Sequence, residues 1–112
     1  MRYAVFIWTK WDTEEDISAD MFAGYEEFGR AATEAGVLVD GSALHPVSAA
    51  TTVRLRDDEI LVTDGPFVES KEQLSGYYVF ECVDLDEAIA WAARIPDARH
   101  GAVDIRPLLV MS

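Results

Sequence analysis

The chain has 112 residues, of which 21 are acidic and nine are basic, so its formal net charge is −12. This length predicts a single domain over residues 1–112, since domains most often have about 100–150 residues. Half of the residues are apolar, as in chains that fold around a core. The acidic balance excludes nucleic acid and an anionic membrane surface as partners, because both are bound by clustered Lys and Arg.

The predicted location is the cytoplasm. Cys82 is the one cysteine and cannot form a disulfide within the chain, which favours a reducing compartment. The apolar run at 3–8 is too short for a signal peptide, and no stretch approaches the roughly 20 apolar residues of a membrane span. We therefore expect a soluble protein.

A strand and a helix are the first predicted elements. Residues 3–9 are apolar, aromatic and β-branched, which predicts a strand, and a polar connection follows over 10–17. A helix then begins after Ser18, a suitable N-cap, and ends before Gly36. Its apolar stripe has helical spacing and consists of Ile17, Met21, Tyr25, Phe28, Ala32 and Ala35.

The middle of the chain predicts strands and turns. Residues 37–39 are a short strand that enters a turn at 40–41. Polar and apolar residues alternate over 51–63, which indicates a hairpin with its turn at 57–58. The tetrapeptide at 64–67, Asp-Gly-Pro-Phe, breaks the pattern.

The last third repeats the order of strand, helix and strand. Residues 77–83 predict a strand, Asp84 caps a second helix, and Pro96 ends it. A final strand is predicted over 103–110, where Pro107 requires a sheet edge or a bulge. The apolar stripe of the second helix is Leu85, Ala88, Ile89, Ala92 and Ile95.

Two β-α-β units separated by a hairpin predict the fold. In about 110 residues this order is typical of a ferredoxin-like α+β domain, with one antiparallel sheet and two helices on one face. Both faces of the first strand are apolar, however, with Tyr3, Val5 and Ile7 on one and Ala4, Phe6 and Trp8 on the other. Because helices on one face leave the other uncovered, we predict a homodimer through the sheet faces, or one closed into a barrel.

The segment 62–77 has the densest set of candidate functional residues. We predict that Asp64 is a general acid or base whose carboxyl is influenced by Lys71 or by partial burial. The structural alternative is an Asx-turn at Asp64, a special backbone angle at Gly65 and Phe67 anchored in the core. The other candidate binding residues of this segment are Glu69, Glu72 and Tyr77.

Further polar candidates lie outside that segment. Histidine is the side chain that titrates near neutrality, and His45 could pair with Asp64 or be a solvated loop residue. Asp104 and Arg106 share one face of the last strand, where they could pair with each other, pair across the sheet or line a dimer cavity. On the hairpin, Arg54 and Arg56 share a face that could meet acidic groups or an anionic ligand.

Neither a metal nor a cofactor is expected. His45 and His100 have no Cys or His at ligand spacing, and the seven glycines form no phosphate-binding loop. Cys82 is predicted within a strand, where a buried and inert thiol is the usual state.

The motif at 64–67, followed by Glu-Ser-Lys-Glu at 69–72, resembles the signature of DGPF-domain proteins in the YCII-related group. The resemblance extends over the whole chain. Ser70 stands where that group more often has Thr, and Asp104 where it more often has Glu, which shortens the carboxylate at that position. The histidine of the His–Asp pair discussed for some YCII-like proteins is absent from the first strand.

The resemblance implies a ferredoxin-like fold that dimerises through its sheets as a dimeric α/β barrel. Relatives in the wider group include cofactor-free enzymes such as lactone isomerases and dehydrochlorinases, while genes for DGPF proteins often accompany sigma factors. One hypothesis is therefore a cofactor-free enzyme in which Asp64 is the acid or base. Lys71 or Arg106 would bind an anionic group, and Tyr77 or Trp8 would contact the small organic substrate. The other hypothesis is a non-catalytic module that senses a ligand or binds a protein.

Overall fold

The structure, a computed structural model, describes residues 1–10, 18–68 and 70–110. Its elements follow the predicted order of two β-α-β units with a hairpin between them. Two 3-10 helices lie at Val47–Ala49 and Pro96–Arg99. The strands and α-helices are β1 (Arg2–Thr9), α1 (Ala19–Glu34), β2 (Leu38–Ala43), β3 (Thr51–Arg56), β4 (Glu59–Asp64), β5 (Gln73–Glu81), α2 (Leu85–Ala92) and β6 (Ala102–Pro107).

Four strands form one antiparallel sheet in the order β2-β5-β1-β6, and β3 and β4 form a separate hairpin. The ferredoxin-like α+β prediction is thus confirmed, with the hairpin inserted between the two halves. Pro107 ends β6, which is an edge strand as predicted, because a proline cannot donate to a neighbouring strand. Neither α-helix in the described part of the chain is long and apolar enough to cross a membrane.

Both helices begin at the predicted caps, but the predicted end of the second helix at Pro96 is wrong, because α2 ends at Ala92 and Pro96 begins the second 3-10 helix. The Ser18 hydroxyl accepts a hydrogen bond from the Met21 N–H at 3.1 Å, and the Asp84 carboxylate accepts one from the Glu87 N–H at 2.9 Å. These bonds satisfy N–H groups that a helix leaves unpaired at its start. Gly36 has a φ of +73° just after α1, a conformation that glycine adopts without steric cost.

The core lies between the helices and one face of the sheet. Phe28 of α1 is at its centre, with ring centroids 5.3 Å from Tyr78, 6.2 Å from Phe80 and 6.2 Å from Trp91. Such aromatic pairs add to the stability gained from burial alone. The buried apolar residues are Tyr3, Val5, Ile7, Phe28, Ala32, Val37, Phe80, Cys82, Ala88, Ala92 and Ile95.

The predicted helical stripes are only partly buried. Met21 and Tyr25 are half-buried, Ala35 is exposed, and Ile17 lies outside the described residues, as do 11–16 of the predicted connection. In α2, Leu85 and Ile89 are about half exposed, so the smaller alanines carry most of the packing.

The predicted turn at 40–41 is wrong, because β2 continues through it to Ala43. Asp40 and Gly41 pair with Val79 and Tyr78 of β5, with a register irregularity after Leu38. An Asp-Gly pair favours a hairpin turn only where the next residues pair back onto the same strand. Here they pair with β5, which is distant in sequence.

The limits of β5 and β6 also differ from the prediction. β5 begins at Gln73 rather than 77, because its first residues pair with Thr9 and Trp8 of β1. The register shifts by one residue between Ile7 and Trp8, so Ser75 forms a bulge, and its hydroxyl donates to the Ile7 carbonyl at 3.1 Å. β6 ends at Pro107 instead of 110.

The hairpin is confirmed, including its two-residue turn. Asp57 and Asp58 have φ values of +51° and +63°, the left-handed conformation that a type I′ turn requires at both positions. All of β4 is exposed, and so is β3 except for the half-buried Thr52. One face is aliphatic and between 61 and 73% exposed, and consists of Val53, Leu55, Ile60 and Val62.

We predict that Gly41→Ala destabilises the protein by at least about 1–3 kcal/mol, the range for an overpacked core. A Cβ at this position would lie 2.7 Å from the Tyr77 carbonyl oxygen and would collide with the Tyr78 ring. Gly29→Ala in α1 is the matched control, since its Cβ would meet nothing within 4 Å, and it should stabilise by about 0.5–1 kcal/mol. Urea unfolding at one protein concentration measures both, and equal stability of Gly41→Ala and the wild type would contradict the described packing.

Candidate functional site

A cleft of about 900 Å³ lies between one end of the sheet and the base of the hairpin. Three chain segments form it: the end of β1 at Trp8, the loop and 3-10 helix between 44 and 50, and residues 66–68, 70 and 72–74. Its lining is mainly apolar, with a few polar groups, which is typical of sites for small organic molecules. The apolar lining includes Trp8, Leu44, Pro46, Val47, Phe67, Val68 and Leu74, and the polar lining includes His45, Thr52, Ser70, Glu72 and Gln73.

Backbone hydrogen bonds hold the loop that carries His45. The Leu44 N–H donates to the Ser75 carbonyl at 2.9 Å, which joins the start of the loop to β5. Pro46 is buried, and its carbonyl accepts from the Ala49 N–H at 2.9 Å to close a turn of 3-10 helix. The loop is therefore a fixed wall of the cleft, with His45 exposed on it.

The Asp-Gly-Pro-Phe turn is joined to the same loop. Gly65 has a φ of +95°, its N–H donates to the Ala50 carbonyl at 2.7 Å, and its own carbonyl accepts from the Thr52 hydroxyl at 2.7 Å. The special backbone angle expected at Gly65 is thus present. Phe67 is 75% exposed and lines the cleft, so the expectation that it anchors the turn in the core is wrong.

Asp64 lies at the end of β4, beside the cleft but outside its lining. Its carboxylate is exposed and has no hydrogen bond or ion pair with any described residue, His45 included. Neither the predicted His45–Asp64 pair nor the Asx-turn at Asp64 is formed. The acid–base role of Asp64 stays a prediction, and no second titratable group contacts it in the described part of the chain.

Glu72 has the most unusual carboxylate of the cleft. One of its oxygens, Oε2, is buried and has no hydrogen-bond partner among the described residues. Leaving a buried polar atom unpaired costs about 1–3 kcal/mol, and more for a charged group, so such atoms are rare. The sequence predicted Glu72 as one of several candidates in the segment 62–77. It did not predict the burial of its Oε2 atom, because the neighbouring residues are charged and polar.

Trp8 is fixed in the cleft wall by a neighbour on the next strand. Its indole Nε1–H donates to the Asp104 carboxylate at 2.7 Å, which orients the ring on the face of the sheet that the helices leave open. Of the three alternatives for Asp104, the structure therefore has the pair across the sheet. Arg106 lies on the same face opposite Ala4.

The other predicted binding residues are not brought together. Tyr77 is half-buried on the open face of the sheet, opposite Phe6. Lys71 and Arg54 are exposed and form no ion pair with a described residue. Glu69 lies outside the described residues. The structure thus joins Trp8, His45 and Glu72 in one cleft, and the binding roles of the rest stay predictions.

No group of three or more His, Cys, Asp or Glu side chains within 1–10, 18–68 and 70–110 is arranged to hold a metal ion. A carboxylate and an imidazole on the wall of an apolar cleft are the groups that general acid–base catalysis most often uses.

The fold defines a small ferredoxin-like α+β domain with an inserted hairpin. A family model for the YCII-related domain matches residues 1–112. An uncharacterised protein of Rhizobium meliloti (strain 1021) is 37% identical over 118 aligned residues, which cover 96% of this chain and 92% of that protein. The chain therefore belongs to the YCII-related family, and the resemblance inferred from its motifs is confirmed.

We predict that Cys82 reacts slowly with alkylating reagents. Burial, with a smaller contribution from the nearby Glu87 carboxylate, raises the pKa of the Cys82 thiol to about 11, so it remains protonated at neutral pH. At pH 7.5, iodoacetamide should modify it at least about 100-fold more slowly than glutathione, since the thiolate is the reactive form. Mass spectrometry follows the reaction, the urea-unfolded chain is the control, and a rate close to that of glutathione would contradict the buried thiol.

Proposed function

We propose that this protein is a cytoplasmic homodimer that binds a small, largely apolar organic molecule in the cleft and transfers a proton on it without a cofactor. The observation that carries the proposal is the buried, unpaired carboxylate oxygen of Glu72 in the cleft lining. The reaction class is isomerase- or lyase-like acid–base chemistry. The cytoplasmic location is supported by Cys82, a buried free thiol.

Glu72 is the group best suited to accept the proton. Glu72 lines the cleft, and a rotation of its side chain would bring the buried Oε2 atom into the cleft. A hydroxyl or an acidic C–H of a bound molecule would then supply the partner that Oε2 lacks among the described residues. That partner would recover the cost of burying the oxygen, so binding and chemistry use the same atom. The electron pair of the broken bond stays on the substrate, and no oxidant or reductant is needed.

His45 would complete the transfer from the loop wall. Imidazole can donate and accept protons near neutral pH, and His45 lines the same cleft as Glu72. The proton returned to another atom of the substrate would give an isomer, whereas protonation of a leaving group would give elimination. Trp8, oriented by Asp104, supplies a flat apolar wall for an aromatic or unsaturated substrate.

We predict that Glu72→Gln separates stability from binding. Because the buried Oε2 atom has no partner among the described residues, removing the charge of Glu72 should leave the free energy of unfolding unchanged or raise it by ~1 kcal/mol. In a thermal-shift screen of small phenols, which can donate to the carboxylate, the variant should bind about tenfold more weakly than the wild type, because hydrogen bonds to a charged group are the stronger ones.

Asp64→Asn is the matched control, since it removes the same charge just outside the cleft lining. It should leave phenol binding unchanged. If Asp64→Asn abolished binding and Glu72→Gln did not, the site would belong to Asp64 and our assignment to Glu72 would be wrong. Phenols that failed to stabilise the wild type at millimolar concentration would count against the cleft as a site for this class of molecule.

The proposed dimer is supported by two uncovered apolar surfaces. The face of the sheet away from the helices carries Phe6, Trp8 and Val79, and the hairpin presents its aliphatic face. The radius of gyration is 15.8 Å, against about 13 Å for a compact domain of some 100 residues, because the hairpin projects. Isolated two-stranded hairpins are marginally stable in water. A second copy of the chain that packs on these surfaces would therefore stabilise the projecting hairpin.

We predict that the wild type sediments at micromolar concentration with twice the chain mass of 12.4 kDa. Val79→Lys should raise the dimer dissociation constant at least about tenfold, because it would bury an unpaired charge in the interface. Thr63→Lys, which adds the same charge to the exposed polar face of the hairpin, should leave the constant unchanged. A wild type that sediments only as a monomer would contradict the proposed dimer.

A second candidate function is a non-catalytic module that binds another protein. Exposed apolar residues beyond the sheet favour it, since Phe67 is 75% exposed, Leu109 84% and Val110 89%. Large exposed apolar surfaces mark protein–protein contacts. A monomeric wild type without phenol binding in the cleft would favour this candidate over the enzyme.

A further inference from the structure

A second cavity, of about 240 Å³, lies on the opposite face of the sheet from the cleft. It is bounded by the first turns of α1, by the ends of β2 and β5, and by the second 3-10 helix. We propose that this cavity binds a small organic cation, whose ammonium group pairs with the buried Asp97 carboxylate while aromatic rings enclose its apolar part. This site is independent of the proposed function and uses none of the residues assigned to it.

Asp97 provides the charge. It lies on the 3-10 helix Pro96–Arg99, is only 4% exposed and lines the cavity. Among the described residues, its side chain has one hydrogen bond, from the Tyr25 hydroxyl to Oδ2 at 2.6 Å, and no Lys, Arg or His forms an ion pair with it. A buried carboxylate is costly without a counter-charge, so the site lacks a cation that a ligand can supply.

The Tyr25 hydroxyl does not neutralise the Asp97 carboxylate, and it leaves one carboxylate oxygen for a bound cation. Burial and the adjacent Asp97 carboxylate raise the pKa of the Tyr25 hydroxyl far above its usual value of 10, so the group remains a neutral donor. It bonds one carboxylate oxygen, and the other oxygen remains for an ammonium N–H. The bond also holds the Tyr25 ring against the cavity wall.

Aromatic rings make the cavity suited to an organic cation rather than to a metal ion. Tyr25, Tyr78 and Phe22 all line it, and a cation over the face of an aromatic ring is attracted by the electrons of that face. The Tyr78 ring packs against Phe28, at a centroid distance of 5.3 Å, and lies close to Gly41, so its position in the cavity wall is fixed. Phe22 is 62% exposed, so it stands at the entrance.

The size of the cavity restricts the ligand. At about 240 Å³ it is smaller than most ligand sites, which have about 300–1,000 Å³, so it admits one ring with a short side chain. Benzylammonium has this size and charge. Benzyl alcohol has the same shape without the charge, and benzoate reverses the charge.

The first experiment uses the wild-type protein and these three probes, followed by backbone amide NMR. We expect benzylammonium to bind at least about tenfold more tightly than benzyl alcohol, since it gains both the carboxylate and the ring faces, and benzoate not to bind. Shifts should be largest at Gly41 and Gly76 in the cavity and small at Ala49 in the cleft. Equal affinities for the ammonium and the alcohol, or shifts confined to the cleft, would overturn the proposal.

Two variants and a control assign the contacts. Asp97→Asn keeps an acceptor for Tyr25 but removes the charge, and should remove the preference for benzylammonium over the alcohol. Phe22→Ala tests the same site without risk to the core, because Phe22 is mostly exposed, and should weaken binding several-fold. Asp86→Asn, an exposed acid on α2, is the charge control and should change nothing. Full binding by a folded Asp97→Asn, or by Phe22→Ala, would contradict the site.

Discussion

Two helices cover one face of a sheet whose strands are apolar on both faces. The other face therefore presents apolar side chains at the surface. The covered face has the core, centred on Phe28 and Phe80. On the open face, Phe6, Trp8 and Val79 are half-buried. The projecting hairpin adds four exposed aliphatic side chains. Within residues 1–10, 18–68 and 70–110 no helix packs on that face, and it is the surface on which the proposed dimer depends.

The acidic residues are concentrated on the helices and the hairpin turn rather than on the sheet. Fourteen of the 21 acids but two of the nine bases lie within 12–34, 57–59 and 84–95, which contain the helices and the hairpin turn. The rest of the chain, including the sheet, is balanced in charge. A strongly negative helical side disfavours association through the helices, while the balanced sheet face carries no such repulsion. The overall charge of −12 therefore disfavours polyanionic partners without restricting what the cavities bind.

Capping residues and turn residues in the sequence predicted which strands and helices form. They predicted less well where each strand begins and ends. Ser18, Asp84 and the 57–58 turn are determined by hydrogen bonds and backbone angles within a few residues, and all three are as predicted. The errors at β2 and β5 come from pairing between strands that are distant in sequence, which overrides an Asp-Gly turn signal. The same limit applies to the sites: a motif directs attention to Asp64, but burial of Glu72 and Asp97 depends on what packs around them.

A single-residue bulge gives the two cavities their positions. Alternation along β1 places Ile7 at the cavity on the helical face and Trp8 at the cleft on the open face, and the register shift opposite them allows residues two apart on β5 to lie on opposite faces. β5 divides in the same way, since Leu74 lines the cleft and Gly76 the cavity. Bulges redirect side chains and are frequent next to functional sites. Because the Ser75 hydroxyl ties the bulge to the Ile7 carbonyl, the two cavities share one rigid wall at the end of the sheet.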